Sequence, residues 1–329
     1  MFLKDKKILI VGGTGTIGQG LLKELLTHEP KVVRILSRDE QKQYELQNKL
    51  GKRDDLRFLI GDIRNYDRVL SAMEDIDYVF HAAAMKHVPA CEYNPYEAVL
   101  TNIVGAYNVI KAAITQDVNK VVFTSSDKAV SPSNTYGATK LTAERLFSAA
   151  DYSKGNRRTT FTSVRFGNVI GSRGSVIPLL SSQILQHKKV TVTNLMITRF
   201  MMTLNQATAL TLKALQESQG GEVFVLKMPV VVLKDLVTVI IEETCYKSGL
   251  HPEEIKIEEI GLRAGEKMFE ELMTYNESSV AWELPDMFII PSLFGKENRY
   301  LNTPKSNPVT YSSSNQQPLS KEEIRRLIN

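Results

Sequence analysis

The 329-residue sequence has only two cysteines, Cys91 and Cys245, and they stand far apart. That excludes a disulfide framework, a zinc-type spacing and a dithiol redox motif, and no metal is expected. Both read as small buried hydrophobes of a protein from a reducing compartment. Charge of one sign is scarce as well: 41 Lys and Arg face 37 Asp and Glu, for a net of +4. No long basic run is present, which argues against nucleic-acid partners and leaves a few cations for a phosphorylated small molecule. No stretch approaches 18 apolar residues, and the amino terminus runs into a strand without a signal-peptide pattern. Membrane insertion is therefore not expected, and a cytoplasmic location is. Internal repeats are lacking too. Hydrophobic residues are plentiful at 43%, enough to fill one large or two modest domains.

The chain opens on a phosphate-binding pattern. Lys6-Lys-Ile-Leu-Ile-Val11 predicts a strand, and Leu21, Leu22, Leu25 and Leu26 then recur at helical spacing. Between them stands Gly12-Gly-Thr14-Gly15-Thr16-Ile17-Gly18. Glycines let the backbone turn sharply and approach a pyrophosphate, which rests on the helix's first amides. The placement between strand and helix makes this a dinucleotide loop rather than a structural turn. A second strand over 32–36 ends in Ser37 and Arg38, where an NAD site ordinarily has an acidic residue. A guanidinium suits a ribose 2′-phosphate, so NADP is favoured, while the adjacent Asp39 keeps NAD open. After a third strand, Asp62 and Ile63 stand where a carboxylate can accept from an adenine amino group, although a helix N-cap explains Asp62 nearly as well. A fourth strand ends in His81-Ala82-Ala83-Ala84, whose alanines admit a flat cofactor; His81 itself reads as a structural histidine. Lys86, in the next loop, has the reach for a phosphate or sugar, and a long helix is predicted over 97–115.

Lys120-Val-Val-Phe-Thr124 predicts a fifth strand running into Ser125-Ser126-Asp127-Lys128, and the apolar spacing beyond predicts a helix over 136–150. Tyr136 and Lys140 then share a helical face as i and i+4 neighbours. An ammonium beside a phenol favours the phenolate, which would let a tyrosine with an ordinary pKa near ~10 serve as a base. Asp127 and Lys128 form an acid/base pair at a strand's carboxyl end, where open α/β sheets hold ligands.

Strands alternating with helices predict an α/β class, a Rossmann-like doubly wound parallel sheet, with residues 1–168 as the dinucleotide-binding domain. Residues 169–329 read as a smaller, mixed substrate-binding domain, with 203–228 returning to the first. The stretch Phe166-Gly-Asn168-Val-Ile-Gly-Ser-Arg173-Gly-Ser-Val176 marks the change of territory. Arg199 and Arg263 are expected in loops, as binding a diphosphate would require. Residues 302–319 look loop-like and 321–328 helical.

The glycine loop with Tyr136-x-x-x-Lys140 resembles the extended short-chain dehydrogenase/reductases. More narrowly, His81-Ala-Ala-Ala-Met-Lys-His-Val-Pro89, Asp127-Lys-Ala129, Tyr136-Gly-Ala-Thr-Lys-Leu141, Gly171-Ser-Arg-Gly-Ser-Val176 and Gly261-Leu-Arg-Ala-Gly-Glu-Lys267 resemble the inverting UDP-N-acetylglucosamine 4,6-dehydratases of capsule-sugar and pseudaminic acid pathways. Tyr136 stands where retaining relatives tend to have Met. Ser126 replaces the usual Thr and keeps a hydroxyl, and Asn194 stands where the family usually has Asp. The resemblance implies that Tyr136 takes the proton from the sugar O4 while hydride leaves C4 for the nicotinamide. Lys140 lowers the phenol's pKa and holds the ribose, and Ser126 or Ser125 bonds the sugar oxygen. Lys128, neutral, removes the C5 proton, and Asp127, protonated, protonates the departing C6 hydroxyl. It further implies UDP-N-acetylglucosamine or a close UDP-sugar held by Lys86, Asn168, Arg173, Val176, Arg199, Arg263 and Glu266, in a homo-oligomer between dimer and hexamer. A UDP-sugar 4-epimerase and a non-catalytic NADP-binding scaffold are the alternatives.

Overall fold

The computed structural model describes residues 2–172, 174–294, 300 and 302–328. Six strands of the amino-terminal half are β1 (Lys7–Val11), β2 (Val32–Ser37), β3 (Leu56–Ile60), β4 (Tyr78–His81), β5 (Lys120–Thr124) and β6 (Thr160–Arg165). They lie side by side in the order β3-β2-β1-β4-β5-β6, all parallel. Val223–Leu226 adds a further parallel strand beyond β6, and Met287–Ile290 and Trp282–Glu283 close that side antiparallel. The strand order reverses between β1 and β4, the switch point at which open sheets bind ligands.

Both faces of the sheet are covered, which is why its strands are nearly continuous apolar runs. Successive residues point to opposite faces. Ile8, Ile10, Val33, Ile35 and Phe80 enter one buried cluster, while Leu9, Val11, Leu36, Val79 and Phe123 enter another. Register then aligns the carboxyl ends: Val11 is paired with Leu36 on one side and His81 on the other, and Thr124 with Val164. Gly12, Ser37, Ala82 and Ser125 therefore emerge along one edge.

The helix predicted over 97–115 runs Pro95–Thr115, interrupted by a π-turn at Leu100–Val104. By length and composition it is apolar enough to cross a membrane, although the sequence showed no unbroken apolar run of that length. More than half of that stretch is buried in the protein, as a core helix. The helix predicted over 136–150 extends to Thr135–Ser153, because the side chain of Asn134 caps it by accepting from Gly137 N at 2.8 Å. Residues expected to be loop-like contain a short strand, Tyr311–Ser312, paired with Glu271–Met273. Arg199, expected in a loop, lies in strand Thr198–Met202, flanked by Asn168–Val169 and Val230–Val232. The β-branched and aromatic partners there make a small three-stranded sheet that propensity at a single Arg does not reveal.

Arg165, at the end of β6, is wholly buried. Its guanidinium donates to Glu144 at 3.0 and 2.6 Å, to Glu277 at 3.0 and 2.8 Å and to Leu272 O at 3.0 Å. Ser125 Oγ completes the network by donating to Glu144 at 2.7 Å. It joins β5, β6, helix Thr135–Ser153 and the 271–277 segment. Removing the cation alone would leave two carboxylates in a desolvated site. Arg165→Met is expected to cost about 3–5 kcal/mol of stability, read as a fall in the urea midpoint.

Candidate active site

Gly12 sits at φ +85°, and a Cβ there would lie 2.7 Å from Ala83 N. Any side chain would push the loop off the β4 edge, so the turn between β1 and its helix must be bare backbone. Helix Thr16–Leu26 begins at Gly15 without a side-chain cap, leaving its first amides facing the loop. Thr14 is buried, with Oγ1 2.7 Å from Ser37 Oγ, which fixes the loop to the end of β2. This cradle has the form that accepts a pyrophosphate.

Arg38 is exposed, 3.9 Å from Asp62. Asp39 is committed elsewhere: it caps helix Glu40–Leu50, accepting from Lys42 N at 3.0 Å, and pairs with the Lys42 ammonium. Asp62 accepts from Arg64 N at 2.9 Å and from the Arg64 guanidinium at 2.7 and 3.0 Å. Burial opposes its charged form, but Arg64 more than offsets this and holds the carboxyl below its ordinary range. The following helix, Tyr66–Ala72, is capped by Asn65 rather than by Asp62. Ile63 turns its side chain into the core, against Gly105. His81 is buried between Phe123 and Phe147, and neither ring nitrogen has a hydrogen-bond partner among the described residues. Desolvation pushes its pKa down to about 3, so it is a neutral packing residue.

The loop after β4 is held by a residue the motifs did not single out. Asn102, in the π-turn, accepts from Met85 N at 2.8 Å and donates to Met85 O at 3.0 Å and to Thr139 Oγ1 at 2.9 Å. A buried Asn inside an apolar helix was the available signal, since a buried amide requires partners. Ala82, Ala83 and Ala84 are half-buried along this loop, and Lys86 is exposed beside them.

Beyond β5, Ser126 begins a short 3-10 turn, Asp127–Ala129. Asp127 is buried, and its Oδ1 accepts from Ser126 Oγ at 2.8 Å, Lys128 N at 2.8 Å and Lys128 Nζ at 3.1 Å. Tyr136 is packed against this turn, because a Cβ on Gly137 would lie 2.1 Å from Lys128 O. Only glycine lets the helix come so close. The loop from 261 to 267 clamps the same turn from outside: Asn134 Nδ2 donates to Gly265 O at 3.1 Å and Lys267 Nζ to Val130 O at 3.2 Å.

The electrostatics differ from expectation in two ways. Lys128 was expected to have its pKa pushed toward the neutral amine by burial or by a nearby nicotinamide cation. Burial does lower its pKa, but Asp127 and Glu270, whose Oε1 lies 3.4 Å from Nζ, more than offset this and raise it above the ordinary value. Tyr136 was expected to be acidified by Lys140. Burial instead pushes the phenol up to about 12, opposed by a hydrogen bond with Ser126 and then by the charge of Lys128. Lys140 donates to Thr124 O at 2.6 Å and lies over the Phe123 ring, and desolvation, opposed by Glu144, brings its pKa down to about 7. Helical spacing put Tyr136 and Lys140 on one face, but the buried wall of β5 decides which cation the phenol feels.

Of the residues expected to meet a sugar nucleotide, Arg199 lies beside this cluster, 4.0 Å from Glu270 and 3.7 Å from Glu266. It also donates to Thr198 O at 2.9 Å and Lys267 O at 2.8 Å. Glu266 accepts from Thr193 Oγ1 at 3.1 Å and Arg263 N at 3.1 Å, and Arg263 itself is exposed. Asn168 lies in the short strand paired with Met201, and Val176 opens helix Val176–His187. Arg173 lies outside the described residues.

A sequence profile described as polysaccharide biosynthesis protein matches residues 8–292. The chain belongs to that family. It is an enzyme of the extended short-chain dehydrogenase/reductase type. The crystal structure of Pen from Bacillus thuringiensis is 63% identical, covering 100% of this chain and 98% of that one, with a TM-score of 0.94. A Methanocaldococcus jannaschii relative called an uncharacterized membrane protein is 47% identical over 99% of this chain and 96% of its own length. A Campylobacter jejuni UDP-N-acetylglucosamine 4,6-dehydratase (inverting) is 40% identical over 100% of this chain and 98% of its own. A Rickettsia bellii UDP-glucose 4-epimerase is 39% identical over 98% and 95%. Two activities thus carry nearly equal likeness within the family, and identity alone does not choose between them.

Proposed function

We propose that the chain is an inverting UDP-N-acetylglucosamine 4,6-dehydratase that uses NADP and works in the cytoplasm. The observation that carries this reading is the Asp127–Lys128 pair, its carboxyl buried and its ammonium half-buried, with Nζ 3.1 Å from Oδ1, set against Tyr136. An epimerase moves a hydride at C4 and has no need of a second acid/base pair. A dehydratase must also take a proton from C5 and give one to the C6 hydroxyl. The likeness to the Rickettsia bellii relative supports 4-epimerisation as the second reading.

In this proposal Gly12, Gly15 and Gly18 hold the pyrophosphate at the helix start, with Thr14, Thr16 and Ile17 completing the loop. Ser37 and Arg38 meet the ribose 2′-phosphate. Asp39 caps its own helix, which supports NADP over NAD. Asp62 and the backbone of Ile63 flank the adenine, and Ala82, Ala83, Ala84 and Lys86 line the cofactor's path. A nicotinamide bound there would supply reversible hydride chemistry, taking up the C4 hydride and giving it back at C6, with a proton added at C5. Tyr136 takes the O4 proton, with Ser126 bonding the same oxygen and Lys140, which titrates near neutrality, able to receive or supply a proton.

The C4 ketone acidifies the C5 proton. Proton transfer within the ion pair turns Lys128 ammonium and Asp127 carboxylate into amine and carboxylic acid. The amine takes the C5 proton as that bond breaks; the acid protonates the C6 oxygen as its bond to carbon breaks. One water leaves and the ion pair is restored. Asn168, Arg173, Val176, Arg199, Arg263 and Glu266 are assigned to the sugar nucleotide.

The test is proton NMR of UDP-N-acetylglucosamine incubated with enzyme in deuterated water, with NADP and with NAD. A 6-deoxy-4-keto product with deuterium at an inverted C5 is expected. A 4-epimer with all carbon-bound protons kept would select the second reading.

A further inference from the structure

Glu270 brings a carboxyl group, which burial penalises, to the side of the Asp127–Ala129 turn. It precedes strand Glu271–Met273, and its backbone is fixed to the C-terminal segment: Glu270 N donates to Ser313 Oγ at 3.0 Å and Ser313 N to Glu270 O at 2.9 Å. Its side chain is only 5% exposed, with Oε1 3.4 Å from Lys128 Nζ and 4.0 Å from Arg199 Nε. Oε2 is buried without a hydrogen-bond partner among the described residues, and so is Asp127 Oδ2. An apolar residue of similar volume would avoid the desolvation penalty of this carboxylate. The groups facing Glu270 are Lys128, Asp127, Arg199 and Lys267, and those facing Lys128 are Asp127, Glu270, Arg199 and Tyr136. The ammonium thus sits between two carboxylates far apart in the sequence, and only one of them belongs to the Asp-Lys motif.

We propose that Glu270 is a positioning residue for the elimination step, holding the Lys128 amine between two carboxylates and strengthening it as the C5 base. The proposal rests on the dehydratase reading. An amine in a negative field gives up its proton less readily and, once free, attracts one more strongly. Removing a proton beside a ketone calls for that strength, whereas oxidation at C4 does not. Burial raises the Glu270 pKa and the Lys128 charge opposes that; Glu270 neither gives nor takes a proton in the elimination as written, so the proton balance of the Asp127–Lys128 pair is unchanged.

Glu270→Gln retains the shape and an acceptor oxygen but removes the charge. Single-turnover C4 oxidation, read as reduced-nicotinamide absorbance, is expected to match the wild type. On the high-pH plateau, where the Lys128 amine is already free, water loss should slow by about tenfold because the weaker base removes the C5 proton less readily, and the difference should shrink below the limb. The pH limb for elimination should move to lower pH, because a less negative site lets the ammonium deprotonate earlier. Glu270→Asp, with its charge retained, should keep the wild-type limb. An E270Q profile superimposable on the wild type overturns the proposal. So does an equal fall in both half-reactions with a lowered melting temperature and no rescue by Asp, which marks a merely structural residue. Wild-type enzyme that never releases water from a UDP-sugar overturns the dehydratase reading itself, and the proposal with it.

Discussion

Replacing Lys128 with Ala should arrest the reaction after its first hydride transfer. The bound cofactor should still become reduced when UDP-N-acetylglucosamine is added, because Tyr136 and the glycine loop are untouched. Product with one water fewer should fall by about 10²–10⁴-fold, the usual contribution of a positioned acid or base. Stopped-flow absorbance and mass spectrometry of the quenched mixture read the two halves separately. The substitution also leaves Asp127 and Glu270 buried with Arg199 as the nearest remaining cation. Without the Lys128 charge, burial pushes the Glu270 carboxyl further up, and it should take up a proton more readily. Lys128→Met, which fills the same volume, is the control for collapse of the site. Undiminished water loss in both variants would remove Lys128 from the mechanism, and loss of cofactor binding would show that it has a different job.

Tyr136→Phe should stop the step before that. The phenol is buried, with its pKa pushed up to about 12, so it is protonated at neutral pH and its base form grows as pH rises. The rate of C4 oxidation in the wild type should therefore climb with pH, and that climb should vanish in Y136F. A fall of about 10²–10⁴-fold in reduced-cofactor formation is expected, with affinity for the oxidised cofactor unchanged. Lys128 is one of the groups that lower this pKa. The limb should accordingly shift to higher pH in Lys128→Met, by the sign of losing a neighbouring cation. A Y136F enzyme that reduces its cofactor at the wild-type rate would exclude the phenol as the base.

Much of the fold was legible because its signals are local. A strand that will be covered on both faces is a run of β-branched residues, and Lys120-Val-Val-Phe-Thr124 needs no partner to be recognised. Gly12 was readable for a similar reason, standing between strand and helix where bare backbone is needed, whereas the close approach of Gly137 to Lys128 O emerged only in the folded chain. The motif residues Asp127, Lys128 and Tyr136 are near neighbours in the chain, so turn and helix bring them together wherever the rest of the molecule goes.

What spacing could not supply was charge. Tyr136 and Lys140 share a helical face, yet Lys140 is drawn to Thr124 O and the Phe123 ring on β5, and the cation acting on the phenol is Lys128. Burial by itself lowers the Lys128 pKa; Asp127 beside it, and then Glu270 142 positions later in the chain, reverse the direction.

The sequence alone thus determined the parallel sheet, the glycine loop and the membership of the catalytic turn, since each follows from backbone geometry within a few residues. The protonation of that turn was settled only by the folded chain. Electrostatic energy depends on distance through space and on the exclusion of water, and folding sets both by bringing Glu270 and Arg199 to the end of β5.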